Sequence, residues 1–153
     1  MYYEESECCD PKAIDYALCL ILEALGDEAS DRAFYQCLLE IAPDCEQQNI
    51  IKSIRNDEIK HFKMFCMIYQ ELTCEEPMPH QKQEFEEPEN YCAAIQKAIF
   101  GELSAVELYR KIMFGLCSQR HKDMLFEIIT DELKHSGKWN FLYTKNCCSC
   151  DCK

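Results

Sequence analysis

The sequence is poor in the residues that break a chain. It has four glycines and five prolines among 153 residues, and the prolines fall at the edges of longer patterns, which leaves room for long uninterrupted elements. It lacks the strict apolar–polar alternation of half-buried strands, so a sheet is not expected. Basic residues are scarce: 16 Lys and Arg stand against 28 Asp and Glu, a formal net charge of -12. Nucleic-acid phosphates favour a basic face, so that balance argues against nucleic acid and suits cations. No apolar run approaches the ~20 residues that span a bilayer. The start, MYYEESECC, is acidic and without the basic-then-apolar plan of a signal peptide. The expectation is a cytoplasmic protein with no membrane partner.

What the chain does have is helical periodicity and 18.0 kDa of it, enough for one domain with a real core. Asp10-Pro11 opens a helical pattern that runs to Ala42, where Pro43 stops it. Asp44 can cap a second helix, with Gln47 as its capping-box partner, running to about Thr73. Cys74 to Pro88 holds three prolines and no apolar period, and reads as a connection. A third helix is expected from about Glu89 to Leu116, and a fourth, capped by Ser118, to about Thr144. The short connections make each pair an antiparallel hairpin. The middle connection, extended, could reach ~50 Å, more than the ~42 Å of a helix of about 28 residues. Residues 11–144 are thus expected to form an all-α, antiparallel four-helix bundle with one long crossover, followed by a Cys-rich tail, 145–153.

The 13 cysteines are odd in number and mostly scattered singly through the helical runs, a poor match to a secreted disulfide framework. Cys19, Cys37, Cys66, Cys92 and Cys117 are expected as small buried thiols in a reducing cell.

One charged word occurs twice: DEIKH, Asp57 to His61, returns as DELKH, Asp131 to His135. In each copy the Glu and His are three apart, hence on one helix face. Glu58 and His61 share that face with Ile51, Ile54, Phe62, Phe65 and Tyr69; Glu132 and His135 share theirs with Leu125, Ile128, Ile129, Trp139 and Tyr143. A carboxylate in such a stripe is costly unless it is paired or bound to metal. The other two helices carry matching carboxylates. Glu28 lies with Ala17, Ile21, Ala24, Tyr35 and Leu39, and Glu102 with Ile95, Ala98, Val106, Tyr109 and Met113. Glu28 to Glu58 and Glu102 to Glu132 are each 30 residues, with the hairpin turns midway, so all four should meet at one height. The halves align without a gap at an offset of 74: Ala24 with Ala98, Glu28 with Glu102, Ser30 with Ser104, Tyr35 with Tyr109, Glu58 with Glu132, His61 with His135. This is the mark of a duplicated helical hairpin.

One Glu from each of two helices and Glu-x-x-His from each of the other two is the ligand set of di-iron or di-manganese carboxylate bundles. Carboxylates suit hard ions and can bridge two of them, and imidazole suits the divalent state. Glu58 and Glu132 are expected as bridges beside His61 and His135, with Glu28 and Glu102 terminal. These residues resemble the rubrerythrin and ferritin-like superfamily. ALGDEASDRAFYQ is similar to the rubrerythrin first-helix pattern of Glu28, Arg32 and Tyr35, and AIFGELSAVELY to its Gly-Glu pattern around Glu102. Two positions depart from it. Ala105 stands where rubrerythrins carry a further Glu, which leaves a set more like that of bacterioferritin. The end, NCCSCDCK, is too crowded for a rubredoxin module.

The resemblance implies a ferritin-like bundle holding two iron ions, with two manganese or a mixed pair as alternatives. It implies a non-haem oxidoreductase that reduces hydrogen peroxide or dioxygen with electrons from an unidentified donor. The alternatives are a ferroxidase or iron-binding and storage protein, and a di-manganese catalase. A homodimer is compatible with the sequence. Tyr35 and Tyr109, two turns from their glutamates, are expected either to bond a ligand carboxylate or to serve as core tyrosines. Trp139 and the methionines are expected as packing, His80 and His121 as exposed, and Asp31 as an ion-pair partner of Arg32 or a solvated edge residue. Cys147, Cys148, Cys150 and Cys152 are expected in a mobile tail, with Cys8 and Cys9 similar at the other end.

Overall fold

The structure, a computed structural model, describes residues 10–79 and 88–148. They form four helices: α1 (Pro11–Ile41), α2 (Cys45–Thr73), α3 (Tyr91–Gly115) and α4 (Gln119–Cys147). Each starts where the sequence supplies a cap. The Asp10 side chain accepts from the Lys12 amide ahead of Pro11, Asp44 from Gln47, Asn90 from Ala93 and Ser118 from His121. Ala42, held extended before Pro43, ends α1. Cys74 ends α2 in the left-handed region at φ 59°, where its amide donates to the Gln70 carbonyl. The fourth helix runs three residues past the expected Thr144, through Cys147.

The helices form the expected bundle. Helix α1 packs on α2 and α3, and α4 packs on α3 and α2, so α1 and α4 are diagonal, as are α2 and α3. Gly115, at the end of α3, meets Ala13 and Ala17 at the start of α1, so these neighbours are antiparallel. Lys145 of α4 pairs with Glu46 of α2, and at the other end Arg120 pairs with Glu71, so α2 and α4 are antiparallel too. Helices α2 and α3 therefore run parallel, which requires a connection that travels the length of the bundle. No helix among the described residues is long and apolar enough to cross a membrane.

Two apolar clusters fill the core. One holds Ile21, Phe65, Tyr109, Ile112 and Leu125; the other holds Tyr35, Leu38, Ile51, Ile95 and Trp139. Between them lies a layer of buried polar side chains. Leu39, Phe62, Tyr69, Met113 and Tyr143 sit only partly buried at the margins.

Several expectations are corrected here. Gln47 does not reach back to the backbone as a capping box would. Its amide nitrogen donates to Asp44 Oδ2 and Asn146 Oδ1, and its oxygen accepts from Tyr91 and Asn146, so it ties the ends of three helices together. Cys92 is not a buried thiol but forms a disulfide with Cys147, across the start of α3 and the end of α4, so that part of the Cys-rich tail is fixed. Cys117 is also disulfide-bonded, and Cys19 is exposed. His121 is buried, with Nε2 2.7 Å from Glu71 Oε2. Met67 and Met78 are exposed rather than packed. Cys8, Cys9, His80, Cys150 and Cys152 lie outside the described residues.

Candidate metal centre

All four glutamates and both histidines converge at mid-height, each at most 3% exposed. They form two groups whose ligand atoms lie within 4.8 Å of one another: Glu28, Glu58, His61 and Glu132, and Glu58, Glu102, Glu132 and His135. Glu58 and Glu132 belong to both. Helix geometry produces the sharing: each Glu-x-x-His word aims its two side chains at the centre, and the two words face each other from α2 and α4.

The distances divide the shared carboxylates between the two positions. His61 Nδ1 is 2.9 Å from Glu132 Oε1, 3.6 Å from Glu58 Oε2 and 3.8 Å from Glu28 Oε1. His135 Nδ1 is 3.1 Å from Glu58 Oε1, 3.5 Å from Glu102 Oε2 and 3.8 Å from Glu132 Oε2. One oxygen of each shared carboxylate therefore faces each histidine. The imidazole centroids are 5.8 Å apart. Five atoms in this layer are buried without a hydrogen bond: Glu28 Oε2, Glu58 Oε1, Glu132 Oε1, His61 Nδ1 and His135 Nδ1. Buried polar atoms are ordinarily satisfied, and a set of oxygens and imidazole nitrogens orphaned around two points fits two cations.

The surrounding residues are crossed between the halves. Tyr35 of the first hairpin donates to Glu102 Oε1 of the second at 2.7 Å, and Tyr109 of the second donates to Glu28 Oε1 of the first at 2.7 Å. Both tyrosines thus orient glutamates, the first of the two roles open to them. Trp139 is fully buried and more than packing: its Nε1 donates to the same Glu102 Oε1 at 2.8 Å, leaving Oε2 turned to the centre. Its counterpart in the first half is Phe65, which packs on Tyr109 and has nothing to donate. The two positions are therefore not equivalent.

The aspartates of the repeated word have a role that we did not assign from the sequence. His61 Nε2 is 3.2 Å from Asp131 Oδ2, and His135 Nε2 is 2.9 Å from Asp57 Oδ2. Each word's Asp holds the other word's His. A carboxylate at Nε2 fixes the proton there and turns the Nδ1 lone pair inward, as partners of metal-binding histidines do. The signal was available, because Asp is repeated in both copies.

Charge in this layer is distributed in pairs. Burial, then the neighbouring carboxylates, pushes Glu28 well above the usual carboxylate range, and burial does the same to Glu102. Burial also opposes ionisation of Glu58 and Glu132, yet the other glutamates and the imidazoles close beside them hold both below it. Both histidines are raised against the effect of burial, His61 to about 10, chiefly by Glu132 and Glu58.

Asp31 is not paired with Arg32. It lines a cleft between α1 and α3, and burial, then Glu58 and Glu132, pushes it up to about 7.

Fold and site together define an all-α four-helix bundle with a buried carboxylate–histidine centre that could hold metal ions. The chain belongs to the family of the uncharacterized protein YhjR of Bacillus subtilis (strain 168), to which it is 30% identical over 121 residues, 79% of this chain and 81% of that protein. A hypothetical protein from Pyrococcus furiosus shares the fold, with a TM-score of 0.74 at 20% identity over 83% of this chain and 87% of the other. No protein-family model matches the sequence.

Proposed function

We propose that the chain is a ferritin-like, rubrerythrin-related oxidoreductase that holds two metal ions, iron by preference, and reduces hydrogen peroxide or dioxygen. The observation that carries this reading is the pair of four-residue groups sharing Glu58 and Glu132, with five buried ligand-type atoms left unsatisfied around them. Glu28, Glu58, Glu132 and His61 would hold one ion, and Glu102, Glu58, Glu132 and His135 the other. Two ferrous ions there would supply the two electrons that cleave one O–O bond, and an external reductant would restore them.

The chain's own part is to prepare the ligands. Tyr35 and Trp139 fix Glu102, Tyr109 fixes Glu28, and Asp131 and Asp57 set the tautomers of His61 and His135. The apolar clusters above and below exclude bulk water from the layer. A cytoplasmic location belongs to the same reading, with the Cys92–Cys147 bridge then a redox-controlled bond.

A second reading, ferroxidase, is favoured by Ala105, because the set of four Glu and two His lacks the extra rubrerythrin carboxylate. The two are separated by metal analysis of protein purified without added metal, followed by rapid anaerobic mixing of the ferrous form with each oxidant. Two iron ions per chain and faster oxidation by peroxide are expected. Faster oxidation by dioxygen favours the ferroxidase, and bound manganese with oxygen evolution from peroxide alone favours a catalase. Protein that takes up none of these ions defeats all three.

A further inference from the structure

The duplication is nearly exact in the metal layer and broken beside it. On one side, α1 and α3 part to leave a cleft of about 230 Å³ lined by Ser30, Asp31, Tyr35, Lys97 and Gly101, among others. At the offset of 74 the second half carries Ala105 for Asp31, and the first half carries Asp27 for Gly101 and Glu23 for Lys97. Ser30 and Tyr35 keep their types as Ser104 and Tyr109. The residues that change are the ones that open the cleft and charge it. A Cβ added at Gly101 would meet nothing within 4 Å, so its missing side chain is free space, where its counterpart Asp27 has a carboxylate.

The cleft touches the centre. Its Tyr35 is 2% exposed and donates to Glu102, so one phenol separates the two. Asp31 is close enough to both shared glutamates to be raised by their charge. At the mouth, Lys97 Nζ lies 5.3 Å from the centroid of the Phe34 ring.

We infer that this α1/α3 cleft is the entrance by which a small hydrogen-bonding molecule of the peroxide or azide kind reaches the carboxylate–histidine centre. This rests on the metal-binding reading above. The volume of about 230 Å³ corresponds to about seven molecules of water size, at ~30 Å³ each. The lining offers a hydroxyl, a carboxyl and an ammonium group. The ammonium at the mouth repels cations, so the cleft suits neutral or anionic solutes and is not the path of the metal ions.

Azide binding to iron-loaded, air-oxidised protein tests this, with the association rate followed by stopped-flow absorbance and iron content measured in parallel. Gly101→Leu fills the free space and is expected to slow association at least tenfold while two ions per chain remain. Ala105→Leu, at the matching position of the second half and outside this cleft, should leave the rate within twofold. Lys97→Glu reverses an exposed charge at the mouth and removes the ammonium from the Phe34 ring. It is expected to slow azide several-fold at low ionic strength, with the difference fading as salt is added. Unchanged rates in Gly101→Leu and Lys97→Glu, with both variants fully loaded, overturn the entrance and leave the metal centre standing. Unmodified protein that binds no metal defeats the metal centre itself, and the entrance with it.

Discussion

At the residue scale, the centre depends on what each carboxylate touches. Glu58 and Glu132 face both histidines, whereas Glu28 faces one. Glu58→Ala or Glu132→Ala should therefore lose more bound metal than Glu28→Ala, measured as ions per chain after gel filtration; equal content in all three would remove the bridging role. Asp57→Asn and Asp131→Asn leave the six inward groups in place and should weaken metal affinity about 10–100-fold. Asp31 gives a pH signature in the metal-free protein. Its ordinary value is 3.8 and in the fold it is raised to about 7, so between those values the folded chain keeps a proton that the unfolded chain has released. Stability should fall as pH rises through that window. Asp31→Asn should then raise the melting temperature more at pH 8 than at pH 5, and an equal change at both would contradict the shift.

At the element scale, the helices are positioned by close contacts as much as by apolar stripes. Gly115 lets α3 cross the start of α1: a Cβ there would lie 2.7 Å from the Ala13 carbonyl oxygen and 2.9 Å from Ala17 Cβ. The first neighbour is backbone and cannot turn aside. Gly115→Ala should cost about 1–3 kcal/mol, read from the urea midpoint, despite the better helix propensity of Ala. A neutral or stabilising result would mean that α1 and α3 can separate freely.

At the scale of the whole molecule, a disulfide ties the start of α3 to the end of α4. The Cys92–Cys147 bridge spans 55 residues, which by chain entropy corresponds to about 4 kcal/mol. Reduction, or Cys92→Ala, should lower the melting temperature; no change would show that the two helix ends hold together through Gln47, Tyr91 and Asn146 alone. The carboxylate–histidine layer would be a second tie once it holds metal. Without metal, burial pushes Glu28 and Glu102 toward the protonated form, and the neighbouring carboxylates push His61 and His135 the same way. Loading at neutral pH should release protons, measured by calorimetry in buffers of different ionisation enthalpy, and should raise the melting temperature by mass action. Release near zero would show that the layer is already ionised without metal.

The sequence by itself determined the bundle and the six inward groups. Both follow from periodicity: apolar stripes at helical spacing, breaks at Pro43, Cys117 and the proline-rich connection, and a word repeated at a fixed offset. Equal spacing from each hairpin turn was enough to bring Glu28, Glu58, Glu102 and Glu132 to one height, because helical rise is constant. The tertiary structure alone decided which residues face each other across the bundle. That Asp57 serves His135 rather than its own His61, that Tyr35 serves Glu102, and that Trp139 has an acceptor at all depend on the sideways order of the helices. No local pattern encodes that order. The same holds for the cysteines. Cys92 and Cys147 are 55 residues apart and become neighbours only because α3 and α4 pack antiparallel, placing the start of one beside the end of the other. His121 and Asp31 were read as exposed or edge residues because helical periodicity ranks their positions as marginal. Their surroundings are set by what the adjacent helix places against them, Glu71 in one case and the α3 side of the cleft in the other.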